Sequence, residues 1–166
     1  MPRQAGSCLS SQTLGGMNAL ITEMIHIRNC KAEDFEGVVA LLRQLWPDMP
    51  LELDALRRTF DRSLASDRQI YICAVSGQQA VGFGSMTIKS NLWSAGFVGY
   101  VDEMVIDGAH RGRGIGTQIL DHLVSTARDL GCSRVELDSA FHRKSAHAFY
   151  EQRGFQSRAY LYSKPL

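Results

Sequence analysis

The sequence predicts a single α/β domain with a central mixed, mostly antiparallel sheet flanked by helices, in the order β-α-α-β-β-β-α-β-α-β. Three observations carry that expectation. The 166 residues, 45% hydrophobic and 21% charged, bury a real core and fit one domain, or at most two small ones. In the first half, alternating spacing gives way to two helical stripes and then to three strand-like runs. In the second half, an amphipathic helical stripe separates two strand-like runs.

The elements follow in order. Residues 1–23 scatter Pro, Gly, Ser and isolated apolar residues without a continuous hydrophobic h-region. They read as a leader, an upstream start or a cloning remnant, with the domain expected over 24–166. Ile25 and Ile27 alternate with polar neighbours as a first strand. Phe35, Val38, Val39, Leu42, Leu45 and Trp46 recur at helical spacing, with Asp34 as the cap and Pro47 as the stop. Leu53, Leu56, Phe60 and Leu64 share one face of a second helix. Residues 70–75 are rich in strand formers, a turn follows at Ser76-Gly77-Gln78-Gln79, and 80–89 is the partner strand. A loop over 91–96 leads to a strand over 97–106. Ile115, Ile119, Leu123, Ala127 and Leu130 form the next helical stripe, closed by Gly131. Residues 134–138 alternate as a strand, Ala146, Phe149 and Tyr150 mark a short helix ending before Gly154, and 156–163 is expected as a last strand.

The charge balance, 18 Lys+Arg against 17 Asp+Glu, provides no overall field for nucleic acid or an anionic membrane surface. No apolar run approaches the roughly 18 residues of a membrane span. The four cysteines, Cys8, Cys30, Cys73 and Cys132, are far apart and form no C-x-x-C pair. They read as small apolar residues in a reducing compartment, not as a disulfide framework or zinc site. His142 and His147 are spaced unlike a metal-binding helix pair, so no metal is expected. The expected location is the cytoplasm.

The most informative segment is Arg111-Gly112-Arg113-Gly114-Ile115-Gly116, between an apolar strand and an amphipathic helix. Glycines there allow a ligand close to the backbone, and successive N–H groups at a helix start point at an anion. Arg111 and Arg113 add charge for phosphate oxygens. Thr117 stands where a dinucleotide fingerprint needs its third glycine, and the chain has no Gly-Lys pair for a P-loop. The segment is thus either a pyrophosphate cradle or a turn that only needs glycine.

Arg111-x-x-Gly114-x-Gly116 also matches the R/Q-x-x-G-x-G/A signature of the GNAT-type N-acetyltransferases. Met104-Val105-Ile106-Asp107 ahead of it is similar to that family's central strand, and Ala-His-Ala-Phe-Tyr-Glu-Gln-Arg-Gly-Phe over 146–155 resembles its later A-x-x-x-Y-x-x-x-G-F segment. The resemblance extends over residues 24–166. Two departures are Gly108, where the family often has proline, and Arg143, where it often has asparagine. The resemblance implies the family's fold and direct transfer of an acetyl group from acetyl-CoA to a primary amine, with no metal. It implies that the backbone of Met104, Val105 and Ile106 holds the pantetheine arm like an extra strand. The N–H groups of Arg113, Gly114, Ile115, Gly116 and Thr117 would take the pyrophosphate, with Arg111, Gly112 and Ala146 beside the cofactor.

The chemistry needs a base for the attacking ammonium and an acid for the leaving thiolate. The resemblance makes Tyr150 the acid; its alternative is a core aromatic beside Phe149. Asp102 and Glu103 are the base candidates. Neighbouring strand residues face opposite ways, so at most one is expected to point into the cleft. Asp102, sharing parity with Tyr100 and Met104, is preferred over Glu103.

Acceptor sites in the family are built from the first two helices and the loop before the central strand. Here that implicates Trp46, Asp48, Trp93 and Tyr100. Leu45-Trp46-Pro47-Asp48 resembles aminoglycoside 6'-N-acetyltransferases, whereas residues 146–155 and the closing Ser163-Lys164-Pro165-Leu166 are closer to aminoalkylphosphonate N-acetyltransferases. The expected partner is a small-molecule amine of one of these kinds. Protein or peptide N-acetylation and a catalytically silent acetyl-CoA sensor are the alternatives. The resemblance allows a homodimer, which nothing in residues 156–166 decides.

Overall fold

The computed structural model describes residues 24–166, so the expected leader over 1–23, with Cys8, lies outside the described residues. The elements are β1 (Ile25–Asn29), a 3-10 turn (Ala32–Asp34), α1 (Phe35–Leu45), α2 (Leu53–Leu64), β2 (Gln69–Ser76), β3 (Gln79–Asn91), β4 (Gly96–Ile106), a second 3-10 turn (Gly108–His110), α3 (Ile115–Asp129), β5 (Cys132–Leu137) and α4 (Lys144–Glu151). The strands form one sheet in sequence order. Pairing is antiparallel from β1 to β4, and the β4–β5 pair is parallel. That parallel pair requires a crossover, which α3 supplies.

Helices cover both faces. On one, Phe35, Val38 and Leu42 of α1 and Phe60 of α2 pack with Cys73, Phe83 and Val105. On the other, Ile115, Ile119, Leu123 and Ala127 of α3 pack with Ile72, Ala74, Met86 and Val101. Gly84 of β3 lets α3 come this close, since a Cβ there would stand 2.5 Å from Ile119 Cγ2.

Two expectations are corrected. Residues 156–163 form no strand. A strand needs a ladder as well as an alternating pattern, and this segment has no ladder partner among the described residues. Tyr160, Leu161 and Tyr162 are exposed. Asp34 stands at the N-cap position of α1, but its side chain makes no capping hydrogen bond. Its carboxylate instead receives Arg28 Nη1 and Nη2 at 2.6 and 2.8 Å and the Lys31 N–H at 2.7 Å, anchoring the chain between β1 and α1.

Two features of β4 position the site. Its ladder with β5 runs from Phe97↔Cys132 to Val101↔Leu137 and stops, so the outer backbone edge of residues 102–106 has no strand partner among the described residues. Its ladder with β3 carries a bulge: Ser85 faces Glu103 and Met86 faces Val101, leaving Asp102 as the extra residue.

Candidate active site

The turn after β4 is pinned to α1. Gln44 donates to Asp107 Oδ2 at 2.9 Å and accepts the Gly108 N–H at 3.0 Å. Asp107 Oδ1 accepts the Ala109 N–H and meets His110 Nδ1. The Gln44 hydrogen bond, then the His110 contact, hold the Asp107 carboxyl down to about 2. Arg111 Nε donates to the Ile106 carbonyl at 3.1 Å, folding the chain back before the glycines.

Gly112 and Gly114 have φ of +75° and +78°, and a Cβ at either would touch nothing within 4 Å. Glycine is required there by the left-handed backbone, not by crowding. The first α3 bond runs from the Gln118 N–H to the Gly114 carbonyl, so the N–H groups of Ile115, Gly116 and Thr117 have no intrahelical acceptor. Ile115 itself is buried, which leaves only its backbone at the turn. Arg153, just beyond α4, donates to Thr117 Oγ1 and to the Phe149 carbonyl, and its guanidinium lies 3.8 Å from the Phe149 ring centre. Its buried Nε has no partner among the described residues. The turn therefore combines unsatisfied N–H groups with Arg111, Arg113 and Arg153. That is a donor set for an anion.

On the α1/α2 face of β4, a cavity of about 470 Å³ is lined by Thr59, Arg62, Ser63 and Ser66 from α2 and its exit, Gln69 and Tyr71 of β2, Thr87 of β3, and both Asp102 and Glu103. The expectation that only one of these carboxylates enters the cleft is corrected by the bulge. The extra residue breaks the two-residue alternation, so Asp102 receives the Thr87 hydroxyl at 2.6 Å while Glu103 receives the Ser85 hydroxyl. Met104, expected to share Asp102's parity, packs in the opposite core.

The two acids differ in surroundings. Asp102 is exposed. Glu103 sits where this cavity meets a smaller apolar one of about 90 Å³ walled by Phe35, Phe60, Phe83 and Trp46. Burial raises the Glu103 carboxyl above its ordinary range, the Ser85 hydroxyl opposes that, and the Asp102 charge reinforces it.

Tyr150 packs edge-on against Phe149 and Phe155, with ring centres 5.2 and 5.7 Å away. Burial raises its phenol above 10 while the Arg143 guanidinium pulls it back, so it is protonated at neutral pH. Arg143 Nη2 donates to the Leu45 carbonyl at 3.0 Å, joining the start of α4 to the end of α1. Ala146 lies on the same short helix.

Of the residues expected around the acceptor, Trp46 borders the apolar cavity. Asp48 is exposed on the α1–α2 connection. Trp93 borders neither cavity; it stacks against Arg134 at 4.1 Å in the β3–β4 turn. Tyr100 borders neither as well, its hydroxyl donating to Asp138 and its ring covered by Lys89 at 3.2 Å.

Residues 35–155 match the model of the acetyltransferase (GNAT) family. The chain belongs to that family. This GNAT protein is 28% identical over 146 residues to the aminoalkylphosphonate N-acetyltransferase of Salmonella typhimurium, covering 88% of this chain and 94% of the relative. It is 31% identical over 138 residues to glucosamine 6-phosphate N-acetyltransferase 1 of Oryza sativa subsp. japonica, covering 80% and 82%. Its fold matches that of a predicted acetyltransferase from Clostridium acetobutylicum solved with acetyl-CoA, with a TM-score of 0.73 and 22% identity over 86% of this chain and 96% of that one. The GNAT chain is an N-acetyltransferase that uses acetyl-CoA. No helix among its described residues is long and apolar enough to cross a membrane.

Arg62, Ser85, Thr87, Gln44 and Arg153 are neighbours of the site that motif reading missed. Arg153 lay inside the A-x-x-x-Y-x-x-x-G-F segment, at one of its unspecified positions. The other four carry no local signal, because only the sheet register and the seating of α1 and α2 bring them in.

Proposed function

We propose that this GNAT enzyme acetylates the primary amine of a small molecule that also carries an anionic group, as aminoalkylphosphonates do. The observation that carries this reading is one cavity bordered by the Arg62 cation from α2 and by the Asp102 and Glu103 carboxylates from β4. An ammonium is drawn to the carboxylates and a phosphonate or phosphate to Arg62. Two relatives support it, since an aminoalkylphosphonate and glucosamine 6-phosphate each pair an amine with a phosphorus anion.

The anion-donor turn suits the pyrophosphate of CoA: the N–H groups from Arg113 to Thr117 would bind it, with Arg111 and Arg153 adding charge. The edge of Met104, Val105 and Ile106, which has no strand partner among the described residues, suits the amides of a pantetheine arm, and a backbone N–H there would polarise the thioester carbonyl. Acetyl-CoA supplies the activated acyl group. Glu103 accepts the proton of the substrate ammonium, aided by a pKa raised toward neutrality and an entrance through the polar cavity. Asp102 attracts the ammonium and tunes Glu103. Tyr150, protonated at neutral pH, returns a proton to the departing thiolate.

The test is CoA thiol release, measured with acetyl-CoA and a panel of aminoalkylphosphonates, hexosamine phosphates, aminoglycosides, polyamines and short peptides. The expected result is fastest turnover with amines bearing a phosphorus anion. In the Arg62→Ala variant, KM for those amines should rise about tenfold, the size of one lost charge-assisted contact, while KM for an amine without an anionic group holds. Preference for aminoglycosides would overturn the anionic acceptor. CoA binding without any amine-dependent thiol release would replace the enzyme with a sensor.

A further inference from the structure

We propose that Cys30 and Cys73 are a redox site, converted by a low-molecular-weight disulfide oxidant into an intramolecular disulfide that ties the exit of β1 to β2. The two are 43 positions apart, yet their Sγ atoms lie 2.6 Å from each other. The antiparallel register produces this contact. Arg28 stands opposite Cys73, and the Cys30 N–H bonds to the Tyr71 carbonyl at 2.8 Å, one step beyond the β1–β2 ladder. Both side chains are buried in the cluster with Phe35, Phe60 and Phe83. No step of the acetyl transfer uses either thiol.

The other reading of two adjacent cysteines is a metal site, and Asp34 is close enough to enter it, its donor atom lying with both sulfurs within 4.8 Å. The carboxylate is already committed: Arg28 grips both oxygens and the Lys31 N–H takes a third bond. Two sulfurs remain, half of what a tetrahedral zinc site needs. A disulfide needs only those two.

The order of events follows from exposure. Cys73 is 0% exposed and Cys30 7%, so a small disulfide such as oxidised glutathione reaches Cys30 first. The Cys30 thiol, held protonated by its contact with Cys73 and by burial, gives up its proton as its sulfur attacks one sulfur of the oxidant, forming a mixed disulfide and releasing one glutathione as the thiol. The Cys73 thiolate then attacks Cys30 Sγ and expels the second. Two protein thiols give up two protons and two electrons, and the oxidant's S–S bond takes up both electrons to become two thiols. Because the sulfurs already touch, the cross-link needs little backbone movement. The loop it closes contains α2, which walls the polar cavity, and α1, which walls the smaller apolar one.

The full chain, incubated with oxidised glutathione, alkylated under denaturing conditions and digested, is expected to yield a Cys30–Cys73 cross-linked peptide, lighter by the two hydrogens lost. Cys132, half-buried and without a cysteine neighbour among the described residues, is expected to carry either glutathione or the alkylating group. The thermal midpoint of the oxidised protein should rise and fall back on reduction. In Cys73→Ser, Cys30 should keep its glutathione adduct because nothing resolves it. Recovery of both Cys30 and Cys73 fully alkylated, under conditions that oxidise Cys132, would overturn the proposal. Retention of one zinc per chain with both thiols reduced would overturn it equally.

Discussion

On the α3 side of β4, the anion turn is built from backbone: two left-handed glycines, a helix start with open N–H groups, and arginines around them. On the α1/α2 side, the cavity proposed for the acceptor is built from side chains supplied by α2, β2, β3 and β4. The first depends on a few consecutive residues and tolerates little change in them. The second depends on how four elements sit against one another, so its chemistry can be retuned one side chain at a time. A shared donor with varied acceptors fits that division, and the largest expected effects of substitution therefore lie on the backbone-built side.

Gly114→Asp should give the largest loss. The φ of +78° disfavours any side chain, and the new carboxylate would face the proposed pyrophosphate. Calorimetry is expected to detect no CoA binding, with the far-UV circular dichroism spectrum of the folded protein retained. Unaltered affinity would remove the turn from the donor site.

Glu103→Gln comes next, on the side-chain-built half. It keeps the shape and the Ser85 contact but removes the base, so kcat should fall about 10²-fold, the lower end of general-base contributions. Acetyl-CoA affinity should hold. The base works ionised, so wild-type activity should rise with pH through the raised Glu103 pKa, and the variant's profile should lose that acidic limb. A variant that keeps both rate and limb would move the base elsewhere.

The same contrast governs what the sequence made legible. The helices over 35–45 and 53–64 and the strand pairs follow from apolar spacing, because each buries a continuous face. The glycine turn was legible because a positive φ leaves few residue choices at fixed positions. The acceptor side was not. Counting parity along 100–104 assumes a regular pleat, and one bulged residue at Asp102 moves two carboxylates to the same face. Arg62 carries the signal of any polar residue on an amphipathic helix, and only the packing of α2 on β2 brings it to the cavity that β4 borders. The last strand failed for the related reason that residues 156–163 carry alternation without a partner. The Cys30–Cys73 contact is likewise a product of the β1–β2 register, invisible to spacing along the chain.

Tyr150→Phe should have a smaller effect than loss of the base. The leaving group is an alkyl thiolate with a conjugate-acid pKa of about 8.5, which departs tolerably without help, so kcat should fall roughly tenfold, below the usual span for a general acid. Packing against Phe149 and Phe155 is preserved, and calorimetry should find acetyl-CoA affinity unchanged. Equal turnover across the pH range would reduce Tyr150 to a core aromatic.

Asp102→Asn should change the rate least and separate the two acids most sharply. Asp102 is exposed and bonded to Thr87, and an asparagine amide oxygen can still accept that hydroxyl. Its negative charge is one of the influences raising the Glu103 pKa. A nearby like charge disfavours ionisation, so its removal lets Glu103 lose its proton at lower pH. The acidic limb of kcat should therefore move to lower pH, with the plateau within a few-fold of wild type. If Asp102 were itself the base, the substitution would instead collapse the plateau and leave no limb to move. The pH–rate profile of this one variant distinguishes the tuner from the base, and the bulge is what brings both within reach of the same amine.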